Sequence, residues 1–161
     1  MSPTETDTRF TERVVARALQ NVREGGKPFA CLIVRDGKVV VEAANLVSQS
    51  GDPTAHAEIT AIRTAAEMGI TDLTGLDVYV TAYPCPMCLG ALYYAQPARV
   101  VFAVTRDQES EHYEDGNRLM RLDTFYGEYT KPAHERALPA EQVSTEDPTL
   151  PFRQWTALHA D

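Results

Sequence analysis

The order of elements along this chain predicts an α/β sandwich built on a mixed central sheet. Three observations carry the prediction. A hairpin opens the sheet, later strands alternate with helices, and those helices repeat apolar residues at one-face spacing. Residues 10–22 place Val14, Val15, Ala18, Leu19 and Val22 at helical spacing and end before Gly25-Gly26, so they read as a first helix. Residues 30–34 and 38–44, joined by Arg35-Asp36-Gly37, read as a β-hairpin. Residues 45–53 read as a loop. After Asp52-Pro53-Thr54, the run 55–68 carries Ile59, Ile62 and Ala66 and reads as a helix that stops near Gly69. Residues 77–81 form a short strand, 86–94 a helix closed off by Pro97, and 99–104 a buried strand. Residues 105–116 are polar and irregular. A helix is predicted over 117–125 and a loop over 131–139. In the tail, 149–158, Phe152, Trp155 and Leu158 recur at helical spacing and are expected to dock.

With 161 residues and no repeat, linker or low-complexity run, the expectation is one domain over 1–161. Hydrophobic content of 43% and charged content of 24% are those of an ordinary soluble globular chain. Residues 1–8 are polar and acidic, without the basic and apolar regions of an export signal, and no apolar run approaches membrane-spanning length. Three cysteines, two of them in one motif, point to a reducing compartment, hence the cytoplasm. The net charge is −8, with Asp107, Glu109, Glu111, Glu114 and Asp115 close together. No basic cluster offers a face for nucleic acid, so a small neutral substrate fits better.

Two short motifs carry the chemistry: His56-Ala57-Glu58 and Pro84-Cys85-Pro86-Met87-Cys88. His56 and Glu58 fall in the first turn of the helix over 55–68. Pro86 suits a helix start, and it places Cys85 and Cys88 three apart on one face. The positive end of that helix dipole favours thiolates. Cys-x-x-Cys alone can be a redox pair, half of a structural zinc site or part of a catalytic one. A structural site needs a fourth ligand, and the candidates are poor. Cys31 sits in the apolar run Phe29-Ala30-Cys31-Leu32-Ile33-Val34, while His112, His134 and His159 lie in polar stretches. The count favours a zinc ion held by three ligands, His56, Cys85 and Cys88, with one position open to water. Zinc lowers the pKa of such a water, and Glu58, not needed as a ligand, can move protons. His-x-Glu followed by Pro-Cys-x-x-Cys is the known signature of zinc nucleobase deaminases.

At this point the chain resembles the cytidine deaminase superfamily. The likeness lies in the stretch from Asp52-Pro53-Thr54-Ala55-His56-Ala57-Glu58 to Arg63 and in Pro84-Cys85-Pro86-Met87-Cys88-Leu89-Gly90-Ala91. Within the superfamily it is most similar to the bacterial zinc-dependent guanine deaminases. That likeness continues through Lys27-Pro28-Phe29, Val34-Arg35-Asp36-Gly37, Lys131-Pro132-Ala133-His134-Glu135-Arg136 and Pro151-Phe152-Arg153-Gln154-Trp155. The resemblance implies a three-layer α/β/α fold with a mixed central sheet. It also implies a homodimer in which the C-terminal segment, 149–161, covers the partner's pocket. It makes Glu58 the proton shuttle and Asp115 a second catalytic acid. It makes Asn45 the residue that hydrogen-bonds the base and Phe29 the one that stacks on it. Tyr83 stands where the family often has Glu, Tyr94 where Trp is common, and Ala30 where Gly is usual, and the chain ends at Asp161 without a terminal aromatic residue. Tyr83 and Tyr94 therefore join the substrate-binding set. The implied reaction is hydrolytic deamination of an amino-purine, guanine to xanthine foremost. Guanosine, cytosine or an aminotriazine are the alternatives, and a tRNA adenosine deaminase or a non-catalytic zinc protein are the more distant ones.

Overall fold

The structure, a computed structural model, describes residues 4–160. The first three residues of the acidic 1–8 segment, and Asp161 of the tail, lie outside the described residues. Helix α1 spans Glu5–Arg23, beginning five residues before the apolar periodicity does. Thr4 and Asp7 form a reciprocal capping box, which satisfies first-turn N–H groups and starts the helix upstream of any core contact. Its buried face is Phe10, Val14 and Ala18, while Val15, Leu19 and Val22 stay exposed.

Strands β1 (Ala30–Arg35) and β2 (Lys38–Ala44) form the expected hairpin. Asp36 and Gly37 both take positive φ, 49° and 71°, as a two-residue turn matched to strand twist requires. The loop that follows holds a short helix, α2 (Val47–Ser50), closed by Gly51. Helix α3 (Ala57–Glu67), strand β3 (Asp77–Ala82), helix α4 (Pro86–Ala95) and strand β4 (Arg99–Val104) complete the sheet. The sheet order is β2-β1-β3-β4. β1 is antiparallel to both neighbours, and β3 runs parallel to β4 through the α4 crossover. The sheet is therefore mixed, as expected. β4 is an edge strand, and its residues are half-buried with Phe102 exposed, which corrects its reading as a buried strand.

Strand alternation sorts side chains into two cores. Ala30, Leu32, Val34 and Tyr79 face α1 and pack with Phe10, Val14 and Ala18. Cys31, Ile33, Val41, Ala43, Val78 and Val80 face the other way and pack with Ala57, Ala61 and Ala65 of α3 and Leu92 and Ala95 of α4. Three layers result: α1, the sheet, and α3 with α4. Cys31 is a core residue on the second face.

The chain divides into two compact units, Met1–Gly116 and Asn117–Asp161. The first contains all of the above and ends with α5 (Arg106–Ser110), a helix within a stretch that reads as irregular. Thr105 and Gln108 close a second capping box there. In the second unit the helix expected over 117–125 is absent. The Asn117 side chain accepts the N–H groups of Leu119 and Met120, which diverts the backbone into a turn, and α6 forms later at Phe125–Thr130. A 3₁₀ turn, Ala133–Glu135, interrupts the expected loop. Helix α7 (Leu150–Leu158) is where the tail periodicity places it.

One polar network ties α1 to the sheet. Asp7 is almost fully buried. It accepts bonds from the Tyr79 hydroxyl at 2.6 Å and from Arg99 Nη2 and Nη1 at 2.6 and 3.2 Å, and Arg99 also reaches Asp77 at 2.9 Å. Arg99 above all, then Tyr79 and the Thr4 backbone, hold the Asp7 carboxyl well below the usual carboxylate range. A depressed folded pKa contributes stability above the unfolded value near ~3.9 and loses it as pH falls toward the folded one. Asp7→Asn is therefore expected to cost about 2 kcal/mol at pH 7. Urea unfolding of both proteins should show that gap narrowing at pH 3.

Candidate metal centre

The loop before α3 is braced so as to deliver His56. Asp52 Oδ1 accepts from the Thr54 N–H at 2.8 Å and its hydroxyl at 2.7 Å, and Arg63 reaches back to Asp52 Oδ2 at 3.1 Å. Leu46 N–H closes the loop on the Ala55 carbonyl at 2.9 Å. His56 is the N-cap of α3, one residue ahead of the first turn, and its side chain makes no capping bond. Cys85 is the N-cap of α4, with Pro86 following, and its side chain likewise makes no capping bond. His56 Nδ1 lies 3.6 Å from both Cys85 Sγ and Cys88 Sγ. The three ligand atoms lie within 4.8 Å of one another. Among the described residues no other His, Cys, Asp or Glu group of this kind exists. Cys31 is buried in the core, and His112, His134 and His159 are exposed.

The electrostatics favour a soft cation. The Cys88 thiol, together with His56, pulls Cys85 down to about 4 against the cost of its burial. Cys88 moves in the opposite sense, because its neighbour takes the negative charge and the site is buried. Of the pair, Cys85 takes the negative charge more readily, and His56 is raised chiefly by its contact with Cys85. Two thiols and an imidazole nitrogen form a donor set that suits zinc. Glu58, on the first turn of α3, is 8% exposed. Burial foremost, with the Cys85 charge adding to it, pushes its carboxyl up to about 7, while its own backbone N–H and Cys88 oppose the rise.

Several other expected residues make defined contacts, and the charge of Asp115 is felt at His56. Asn45 is fully buried. Its N–H donates to the Phe29 carbonyl at 2.9 Å, and its Oδ1 accepts from Val47 N–H at 3.0 Å, so the NH₂ is the end of the amide not held there. Phe29 meets Tyr113 edge-on, centroids 5.0 Å apart. Asp115 Oδ1 accepts from the Tyr113 hydroxyl at 2.8 Å and from Lys27 Nζ at 2.5 Å. Burial raises the Asp115 carboxyl, but these two bonds outweigh it and keep it below its usual range. Tyr83 packs edge-on against Phe102 at 5.2 Å, with the Arg106 guanidinium 5.5 Å from its ring centre. Tyr94 is 91% exposed on α4 and is not brought to these groups.

Lys27, Tyr113 and Glu109 are absent from the residues expected from sequence. Glu109 is half-buried, and its carboxyl is raised by burial and by the charge on Cys85, with Arg106 opposing. Thr105-Arg106-Asp107-Gln108 is a capping-box signature that marks the start of α5.

Residues 4–104 match the family model of the cytidine and deoxycytidylate deaminase zinc-binding region. The guanine deaminase of Bacillus subtilis (strain 168) is 42% identical over 149 residues, 91% of either chain. The X-ray structure of guanine deaminase from Bacillus subtilis superposes with a TM-score of 0.85 at 38% identity, covering 96% of both chains. A tRNA-specific adenosine deaminase of Agrobacterium fabrum (strain C58 / ATCC 33970) is 34% identical over 120 residues, 74% of this chain and 78% of its own length.

Elemental analysis of purified variants tests the centre. Cys85→Ser, Cys88→Ser and His56→Ala should each weaken zinc binding by more than about 100-fold, since each removes a direct donor rather than a supporting group. Ala61→Leu on the core face of α3 should cost roughly 1–3 kcal/mol by overpacking and also lower zinc content, because it moves the helix that starts at His56.

Proposed function

The chain belongs to the cytidine and deoxycytidylate deaminase zinc-binding family, and on that premise we propose that it deaminates guanine hydrolytically to xanthine and ammonia. The observation that carries the substrate is the reach of the likeness to guanine deaminase. It extends over 96% of the chain, far beyond the zinc region at 4–104, and takes in the 117–160 unit.

In this reading His56, Cys85 and Cys88 hold zinc. Bound there, zinc supplies a Lewis acid that makes water nucleophilic at neutral pH. Glu58 takes a proton from the attacking water, which adds to the ring carbon bearing the amine. Glu58 then delivers that proton to the ring nitrogen; the added hydroxyl gives up its own proton, which is carried to the amine, and ammonia leaves as the carbonyl forms. A carboxyl near neutrality is suited to both transfers. Asn45 presents its NH₂ to the base, Phe29 stacks on it, and Asp115 contacts the amine edge as a second proton carrier. Tyr83 shapes the rim. Tyr94 bears on the substrate only if another chain completes the wall around it.

That requirement fits a homodimer in which residues 149–161 dock on the partner. α7 presents Phe152, Trp155 and Leu158 at 73, 63 and 82% exposure, an apolar stripe that a second chain would cover. In this reading the two units act as one deaminase domain. Likeness to a tRNA-specific deaminase favours a second reading, adenosine in tRNA. A net charge of −8 and the acidic run 107–115 speak against RNA. Among the described residues no helix is long and apolar enough to cross a membrane. Cys31, Cys85 and Cys88 are free thiols, as a reducing cytoplasm would keep them.

Ammonia release by the zinc-loaded protein is expected from guanine ahead of guanosine, adenine, cytosine, cytidine and aminotriazines. Glu58→Gln should lose about 10⁴-fold in rate with zinc retained, and Asp115→Asn about 10²-fold. Turnover of another base with guanine inert would reassign the substrate, and salt-sensitive binding of RNA would favour the second reading. Light scattering should give a dimer that Phe152→Ala with Trp155→Ala shifts toward monomer.

A further inference from the structure

Asn21 lies near the C-terminal end of α1, on an element that contributes nothing to the zinc motifs, yet it is 1% exposed and fully engaged. Its Nδ2 donates to two carbonyls, those of Lys27 and Asn45, each at 2.8 Å. Its Oδ1 accepts from Gln49 Nε2 at 3.1 Å. Its own carbonyl accepts from Gly26 N–H at 2.8 Å. One amide therefore joins three segments: the end of α1, the 26–29 loop and the 45–49 loop. These two loops carry Lys27, Phe29 and Asn45, and the Asn45 N–H to Phe29 carbonyl bond, 2.9 Å, ties them a second time.

The surroundings are built for this amide. A Cβ at Gly26 would come within 2.4 Å of Asn21 Nδ2, 2.7 Å of its Cγ and 2.5 Å of Gln49 Nε2. The Gln49 end could swing aside, but the Asn21 amide is buried and held by both carbonyls. Gly26 is thus required by space rather than by backbone conformation. A buried apolar residue at 21 would take the side-chain donor from the Asn45 carbonyl, a penalty a folded chain accepts rarely, and would leave the Lys27 carbonyl with the Phe29 N–H at 2.9 Å instead of two donors.

We propose that Asn21, with Gln49 and Gly26, is a positioning clamp that sets the spacing between Phe29 and Asn45, and hence between the stacking face and the hydrogen-bonding edge offered to the base. Asn21 touches neither zinc nor base. It acts through the two loops, so its loss should weaken base binding more than it slows the chemical step. This rests on the deaminase reading above.

The test uses the full-length zinc-loaded protein and three variants: Asn21→Ala, Gly26→Ala and Gln49→Ala. Gln49 is exposed, so its variant folds even if Asn21→Ala does not. Steady-state kinetics on guanine and the inhibition constant of hypoxanthine, guanine without its exocyclic amine, are measured per bound zinc. The clamp predicts that KM and the hypoxanthine constant rise together by roughly ten- to hundredfold for Asn21→Ala and Gly26→Ala, with a smaller rise for Gln49→Ala and kcat changed less. A merely structural role would reduce the active fraction and leave both constants where they were. Unchanged constants in all three variants overturn the proposal. Should wild-type protein leave guanine untouched, the guanine reading fails by itself. The same three variants are then compared on the amino-heterocycle that wild-type protein deaminates fastest, with the same two outcomes.

Discussion

Everything at the centre depends on how closely α3 lies against the sheet. Its buried face is made of Ala57, Ala61 and Ala65, so the helix backbone settles on Cys31, Ile33, Val41 and Ala43 with almost no side-chain thickness between them. Leu92 and Ala95 of α4 share the same core face. With both helices bedded in one core, their N-caps, His56 and Cys85, arrive together, and His56 Nδ1 reaches both sulfurs at 3.6 Å. The ligands come from residues 29 and 32 positions apart, and packing, not chain proximity, assembles them.

The same burial sets the chemistry. A carboxyl on the first turn of an exposed helix would be ionised and solvated. Glu58 is on the first turn of the alanine-faced helix but buried, and desolvation moves it to about 7. Asp115, a carboxyl at the edge of the site, is held the other way by Lys27 and Tyr113. Two carboxyls with opposite shifts can divide proton-accepting and proton-donating work, and Glu109 adds a third acidic group near Cys85. A divalent cation among these charges would offset their mutual repulsion, which gives the acidic surroundings a physical role.

Legibility in the sequence followed the range of the interactions concerned. The hairpin over Asp36-Gly37, the helices behind His56 and Pro86 and the helix carrying Trp155 were readable, because turn residues and period act over a few positions. The early start of α1 at Thr4 and Asp7, and α5 behind Thr105 and Gln108, were present as capping boxes that apolar periodicity does not register. The helix expected over 117–125 failed because one side chain, Asn117, took the backbone donors that a helix would have used.

The sequence by itself determined the donor set, its order and the class of fold, because His56, Glu58, Cys85 and Cys88 are identifiable by residue type and by spacing within single helical turns. Only the tertiary structure decided that Lys27 closes on Asp115 across 88 positions, that Asn21 bridges the loops of Lys27 and Asn45, and that Glu58 is buried enough to hold a proton near neutrality. The reason is physical. Local hydrogen bonds and periodicity are encoded within a few residues. Burial and long-range ion pairs depend on which surfaces meet once the sheet and its helices have packed.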